Sequence, residues 1–175
     1  MKMKKMNLQM FGATEGKKII YLYRILSEQS SQDGAVLAFA TENSRSISND
    51  AETTATKDGT VRTPGTPEVE ITSTSLLKKG DEMIGKLETA CETGALVECW
   101  EADLDEPGAT TGKYKGKYFQ GYITDFEKTS NADGNVEISI TYGVNGVGAS
   151  GDVTVTAAQQ EAASYVYTDT PKVSA

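Results

Sequence analysis

Few residues of this chain are of types, and at spacings, that could carry chemistry. Ser75-Leu76-Leu77-Lys78 fits Ser-x-x-Lys, which in acylating enzymes sets a serine nucleophile beside a lysine one helical turn away. Its partner motifs Ser-Asp-Asn and Lys-Thr-Gly are absent, so the match reads as the approach to a helix. Gly143-Val144-Asn145-Gly146-Val147-Gly148 has the glycines of a phosphate loop without its spacing, and strand patterns flank it on both sides. A turn is the better reading. Glu98, Glu101, Asp103, Asp105 and Glu106 belong to a run from Glu88 to Glu106 with seven acids and no Lys or Arg. Paired carboxylates could hydrolyse a glycoside or hold a hard cation. Apart from Trp100 there is no aromatic platform for a sugar, and the ordered Asp-x-Asp-x-Asp-Gly calcium loop is missing. A solvated acidic face is the plain alternative. Lys113, Lys115 and Lys117 fall on one side of an alternating strand, suited to guarding an edge or meeting the acids of a neighbouring subunit.

What is missing says as much. The chain contains no histidine, which removes the Ser/His/Asp and Cys/His schemes and every zinc site that needs imidazole. Cys91 and Cys99 are too few for a disulfide framework or a four-cysteine metal site; they could bridge, but read more simply as thiols in a reducing compartment. No catalytic residues, cofactor or metal are therefore expected. A net charge of −8 lacks the positive field with which proteins grip phosphates, disfavouring a sequence-reading nucleic-acid binder. No window is long and apolar enough for a membrane span. The basic start Met1-Lys2-Met3-Lys4-Lys5-Met6 is followed by too little apolar sequence for a signal peptide.

The elements that would position these residues are mostly strands. With 175 residues, 38% of them hydrophobic, the chain suits one domain with arms. Lys18 to Leu26 is rich in β-branched and aromatic residues, with burial on both faces, or on one face and against a neighbour. Ala35–Thr41 is a second short strand. Glu42–Pro67 is 26 residues long with Ile47 and Val61 its only large aliphatic residues. It reads as a mobile linker, or as a polar hairpin or long loop that orders only against a partner, with Pro64, Gly65 and Pro67 ending it as a turn. Glu68–Thr74 alternates, with Val69 and Ile71 inward. From Asp81 the period changes: Met83, Ile84, Leu87 and Cys91 form one helical face over about 81–93, closed by Gly94. Leu96–Leu104 returns to strand, with Ala95, Val97 and Cys99 facing one way and Leu96, Glu98 and Trp100 the other, and Asp105–Gly112 is a loop. Lys113–Phe126 sets Tyr118, Gln120, Tyr122 and Phe126 opposite Phe119 and Ile123. Asn131–Asn135 is a hairpin turn in which Asp133-Gly134 supplies positive φ. Val136, Ile138, Ile140 and Tyr142 line one face of the return strand, and a last strand covers Val153–Ala157. The fold class is mainly β: about seven strands in an antiparallel β-sandwich or barrel with one packed helix, a long polar loop and terminal arms.

An ordered set of segments resembles the major tail proteins, the tail-tube subunits of long, non-contractile-tailed bacteriophages of Gram-positive bacteria. It comprises Met10-Phe11-Gly12-Ala13-Thr14-Glu15-Gly16, Asp50–Gly59, Thr63-Pro64-Gly65, Val97–Glu101, Tyr118–Tyr122 and Asn131–Glu137. The resemblance implies a structural subunit without catalytic residues, closing into hexameric rings that stack into a tube through which double-stranded DNA passes into the host. It also implies a virion location and tape measure and tail terminator proteins as partners. By position, 1–17 is an N-terminal arm, 18–158 the tail-tube domain and 159–175 a C-terminal arm. Within the domain, 42–67 is an inter-subunit loop bearing Asp50, Thr54, Lys57, Asp58 and Gly59. Glu98, Glu101, Asp103 and Asp105 are candidate lumen or interface acids, and Lys113, Lys115 and Lys117 candidate interface bases. Some relatives carry an immunoglobulin-like domain for which this chain is too short. The alternatives are a β-sandwich carbohydrate-binding or surface-adhesion module, which needs an exposed aromatic platform, and an enzyme of unfamiliar mechanism.

Overall fold

The computed structural model describes residues 13–163, so the proposed arms lie largely outside it. Eight antiparallel strands form one sheet: β1 (Ile19–Ile25), β2 (Ala35–Val36), β3 (Ala40–Thr56), β4 (Gly59–Leu76), β5 (Val97–Pro107), β6 (Lys113–Thr129), β7 (Glu137–Val144) and β8 (Ala149–Thr154). Their order is β2-β1-β5-β6-β7-β4-β3, with β8 paired to the first part of β6. Helix α1 (Glu82–Thr93) packs on the sheet, and a short helix α2 (Ala157–Ala163) follows β8.

The sheet buries both faces of β1. Tyr21, Tyr23 and Ile25 enter the main core with Val97, Cys99, Phe119, Ile138, Ile140, Tyr142, Val69 and Ile71. Ile20 and Leu22 point the other way, into a smaller cluster with Ala102, Val153 and Val155. This is why Ile19–Leu26 reads as a near-continuous apolar run and not as an alternation. The sheet also curls. Tyr23 on β1 bonds Ser73 on β4 at 2.7 Å, although β5, β6 and β7 separate those strands in the sheet.

Helix α1 follows its sequence signals. Asp81 caps it, its Oδ1 accepting from the Met83 and Ile84 amides at 3.0 and 3.4 Å. Gly94, at φ +67°, ends it in the left-handed conformation that only glycine enters cheaply. Met83, Ile84, Leu87 and Ala90 are buried, and Cys91 is half-buried against the same core.

Five expectations are corrected. Of the readings of Glu42–Pro67, the linker and the loop give way to the polar hairpin: the segment belongs to a paired β3–β4 hairpin that turns at Lys57-Asp58 and not at Pro64–Pro67. Pro64 and Pro67 lie inside β4, where a missing N–H costs little because β7 joins β4 only from Val69 onward. The register also shifts between Asn49 and Ala51 there, and a Cβ on Gly65 would stand 2.2 Å from the Asp50 carbonyl oxygen, so glycine is required. On β6, an irregularity between Ile123 and Asp125 shifts the parity, so Phe126 sits opposite Ile140 on the main-core side with Ile123. Strand β5 runs through Pro107, beyond the expected loop start at Asp105, and β8 is Ala149–Thr154 rather than Val153–Ala157. Asn131–Asn135 does join β6 to β7, but Gly134 has no positive φ; seven residues separate Thr129 from Glu137, long enough to reverse the chain without it.

Leu87 is completely buried, so Leu87→Ala is expected to cost about 2–5 kcal/mol in denaturant unfolding. Gly85 is exposed and its missing Cβ would meet nothing, so Gly85→Ala should instead stabilise by about 0.5–1 kcal/mol.

Candidate functional site

The motifs with enzymatic overtones come apart in space. Ser75 lies on β4 facing the core, with its hydroxyl buried and unpaired, while Lys78 is exposed beyond the end of the strand. The glycine-rich segment is the β7–β8 turn, with positive φ at Gly146 and Gly148. No group of three or more His, Cys, Asp or Glu side chains among the described residues could hold a metal ion. Burial raises the Cys99 thiol well above its usual range, leaving it protonated and unreactive, and Cys91 is free.

The acidic run divides by strand parity and partner. Glu98, only 4% exposed, is held by Arg24 Nε at 2.8 Å and by the Tyr118 hydroxyl at 2.6 Å. The Arg24 guanidinium also covers the Trp100 ring at 4.9 Å, and Tyr118 packs on that ring at 5.4 Å. The one tryptophan is thus occupied within the subunit and is no sugar platform. Glu101 points to the opposite face, where it accepts from the Tyr21 hydroxyl at 2.6 Å and from Arg45 Nε and Nη2 at 2.7 and 3.3 Å. Burial first, then the bond to Glu101, raises the Tyr21 phenol above its usual range. Asp103 turns its carboxylate to the Asp105 amide at 2.9 Å, and Asp105, exposed, stands 3.7 Å from Lys18. Glu88 and Glu92 lie on the exposed side of α1.

The lysines lie beside these acids within one chain. Lys117 is directly opposite Glu101 in the β5–β6 register, and Lys115 Nζ is 3.2 Å from Glu106. Lys113 and Lys117 have no ion pair among the described residues. On the opposite side of β6, Lys113, Lys115 and Lys117 face Thr154, Asp152 and Ser150 of β8. The patch is therefore mixed in sign.

The most distinctive feature is the hairpin, which the sequence left open between a linker, a long loop and a polar hairpin. Every residue from Ser46 to Thr66 is exposed. From the Ile47–Val69 pair to the tip, about ten residue pairs at ~3.3 Å each make a ribbon about 30 Å long that projects past β7. Asp50 sits at the bulge, Thr54 pairs with Val61, and Lys57, Asp58 and Gly59 form the tip. A two-stranded ribbon without a core is marginal in water.

The family model for phage tail tube proteins matches residues 13–149. The chain belongs to that family. It is a structural subunit of a phage tail tube, a virion component. A putative tail protein of Staphylococcus phage phiMR25 is 34% identical over 161 residues, covering 89% of this chain and 82% of that protein. Among solved structures, the SPP1 tail tube protein superposes with a TM-score of 0.72 at 18% identity, covering 93% of this chain and 95% of its own. A tail protein of a gene transfer agent, solved with C6 symmetry, gives 0.61 at 14% identity, over 78% of this chain and 98% of its own. In this tail tube subunit no helix among the described residues is long and apolar enough to cross a membrane.

Three buried phenols give the subunit a definite response to alkali. Tyr21, Tyr23 and Tyr142 are 7%, 1% and 0% exposed, and burial is the largest cause raising each above the usual tyrosine range. The unfolded chain releases these protons near pH 10 while the native chain keeps them, so stability is intact below about pH 10 and falls as pH rises further. Ionisation followed by absorbance should account for the remaining tyrosines first. The last three should appear only together with loss of circular dichroism.

Proposed function

We propose that copies of this subunit close into hexameric rings, and that the rings stack into the tube through which double-stranded DNA leaves the capsid. In this reading the tape measure and tail terminator proteins set its length and end. The single observation that carries it is the exposed ribbon from Ser46 to Thr66, which buries nothing in its own chain and gains stability only by lying on a neighbour. Family membership supplies the context, and the C6 symmetry of the gene transfer agent tail is consistent with six copies. Residues 1–17 and 159–175 are read as the arms that complete the contacts.

The test replaces residues 49–67 by a two-residue Asn-Gly turn, which continues the Ser48–Glu68 pair as a short hairpin. Concentrated wild-type protein should form rings or tubes in negative-stain images, with the 42–67 segment protected from protease. The shortened protein should keep its unfolding transition and stay unassembled. Tubes from the shortened protein would overturn the assignment of the hairpin to assembly.

Within this reading, Asp103 and Asp105 are the candidate acids that no arginine takes up, since Arg24 and Arg45 hold Glu98 and Glu101 and only Lys18 stands near Asp105. With a net charge of −8 on every chain, we place them at the lumen wall, where they repel phosphate at short range while salt screens the field beyond ~8–10 Å. Changing both to Lys should leave tubes intact and slow DNA ejection from reconstituted particles. Loss of tubes, restored by reversing Lys113 and Lys117, would place these acids at a subunit interface.

A further inference from the structure

The hairpin leaves the sheet with only one of its edges held. On the β4 side, main-chain pairing to β7 continues as far as Val69–Val144. On the β3 side there is no neighbouring strand, because β3 is the last in the sheet. Two side-chain links cross the core to hold that free edge. Asn43 accepts from the Ser73 hydroxyl at 2.6 Å, which in turn bonds Tyr23. Two pairs further along, on the same face, Arg45 reaches Glu101 on β5. Past Arg45, Ile47 is 56% exposed, and no side chain between residues 46 and 67 bonds to anything outside the hairpin. Arg45–Glu101 is therefore the last tether before the arm.

Its geometry suits a clamp. Arg45 uses Nε to one carboxylate oxygen and Nη2 to the other, a planar fork that fixes orientation as well as distance. The Tyr21 hydroxyl bonds the oxygen that takes Arg45 Nε, so β1, β3 and β5 meet at one carboxylate. The hydrogen bond that Arg45 donates to Glu101 is the largest cause raising its guanidinium above the ordinary range. Both partners are largely screened from water, at 24% and 17% side-chain exposure, so the pair is held more firmly than a surface ion pair.

The lever arm makes the angle matter. A tilt of about 10° at the root carries the tip of a ~30 Å ribbon about 5 Å, as much as one whole strand spacing of ~4.8 Å. We propose that Arg45 and Glu101 are positioning residues for assembly: their fork sets the angle at which the hairpin leaves the sheet, and so the register in which it meets the neighbouring subunit. This deepens the assignment of the hairpin to inter-subunit contact and rests on it.

The conservative change Arg45→Lys separates the two roles this pair could have. Lysine keeps the charge and much of the reach but cannot form the fork. A role limited to charge balance would survive it, and a role in orientation would not. The free subunit carries spin labels at Asp58→Cys on the tip and Glu92→Cys on α1, in a Cys91→Ser background, and the distance distribution is read by double electron–electron resonance. Wild type should give one narrow distribution. Arg45→Lys should keep a cooperative unfolding transition, broaden the distribution at least twofold and slow tube formation about tenfold or more. Glu101→Gln, which offers one acceptor where the carboxylate offers two, should do the same and serves if Arg45→Lys does not fold. Tyr21→Phe, which leaves the fork in place, should leave the distribution narrow. A broad wild-type distribution, or variants as narrow as wild type, overturns the proposal. Failure of the wild-type chain to form tubes would instead count against the assembly reading, while the resonance measurement still decides whether the fork sets the angle.

Discussion

A buried hydroxyl left without a hydrogen-bond partner costs about 1–3 kcal/mol, and two of the largest fully buried side chains here are tyrosines. Tyr23 finds Ser73 on β4, and Tyr142 on β7 donates to the Val97 carbonyl on β5 at 2.8 Å. Neither partner is on an adjacent strand. Satisfying both phenols requires the sheet to curl until β4 stands over β1 and β7 over β5, and their rings meet edge to face at 6.2 Å inside that curl. The hydrophobic effect would close an apolar face in several ways. The phenol bonds select one of them.

From that curl follow the features that bear on assembly. It carries β3 over β5, so that Arg45 finds Glu101. The second face of β1 has its own small core with Val153 and Val155, which holds β8 against the sheet. The strands that exceed this core, β3 and β4, have nowhere to bury a side chain and continue as a polar ribbon. Division of labour between a body with two cores and an arm with none suits a subunit whose contacts form after folding.

The charged patch illustrates how a monomer settles its own electrostatics before meeting a partner. A buried carboxylate must be paired, and Glu98 and Glu101 are each met by an arginine and a tyrosine of the same chain. What remains outward is smaller and more balanced than the lysine-free run from Glu88 to Glu106 implies, because Lys115 and Lys18 approach Glu106 and Asp105 from within the chain.

Much of this was legible from residue order. The capped helix with Met83, Ile84 and Leu87 inward, the double burial of β1 and the inward row of Ile138, Ile140 and Tyr142 all follow from local periodicity, which backbone geometry imposes whatever the surroundings. The absence of histidine and the ordered segments pointed to a structural subunit rather than an enzyme. The hairpin stood only as one alternative and its turn was misplaced, because Pro64, Gly65 and Pro67 signal a turn unless one knows that β4 has no second neighbour there and crosses a bulge. Nor was the parity of Phe126, which one irregularity in β6 reverses. The fates of Glu98 and Glu101 were also hidden. Their arginines lie 74 and 56 residues away in the chain: strand pairing sets Arg24 directly opposite Glu98 on β5, and the curl of the sheet brings Arg45 to Glu101. Local pattern determined which residues face inward; the tertiary structure decided which charges are left to face another molecule, since pairing across a curled sheet depends on contacts that no sequence spacing encodes.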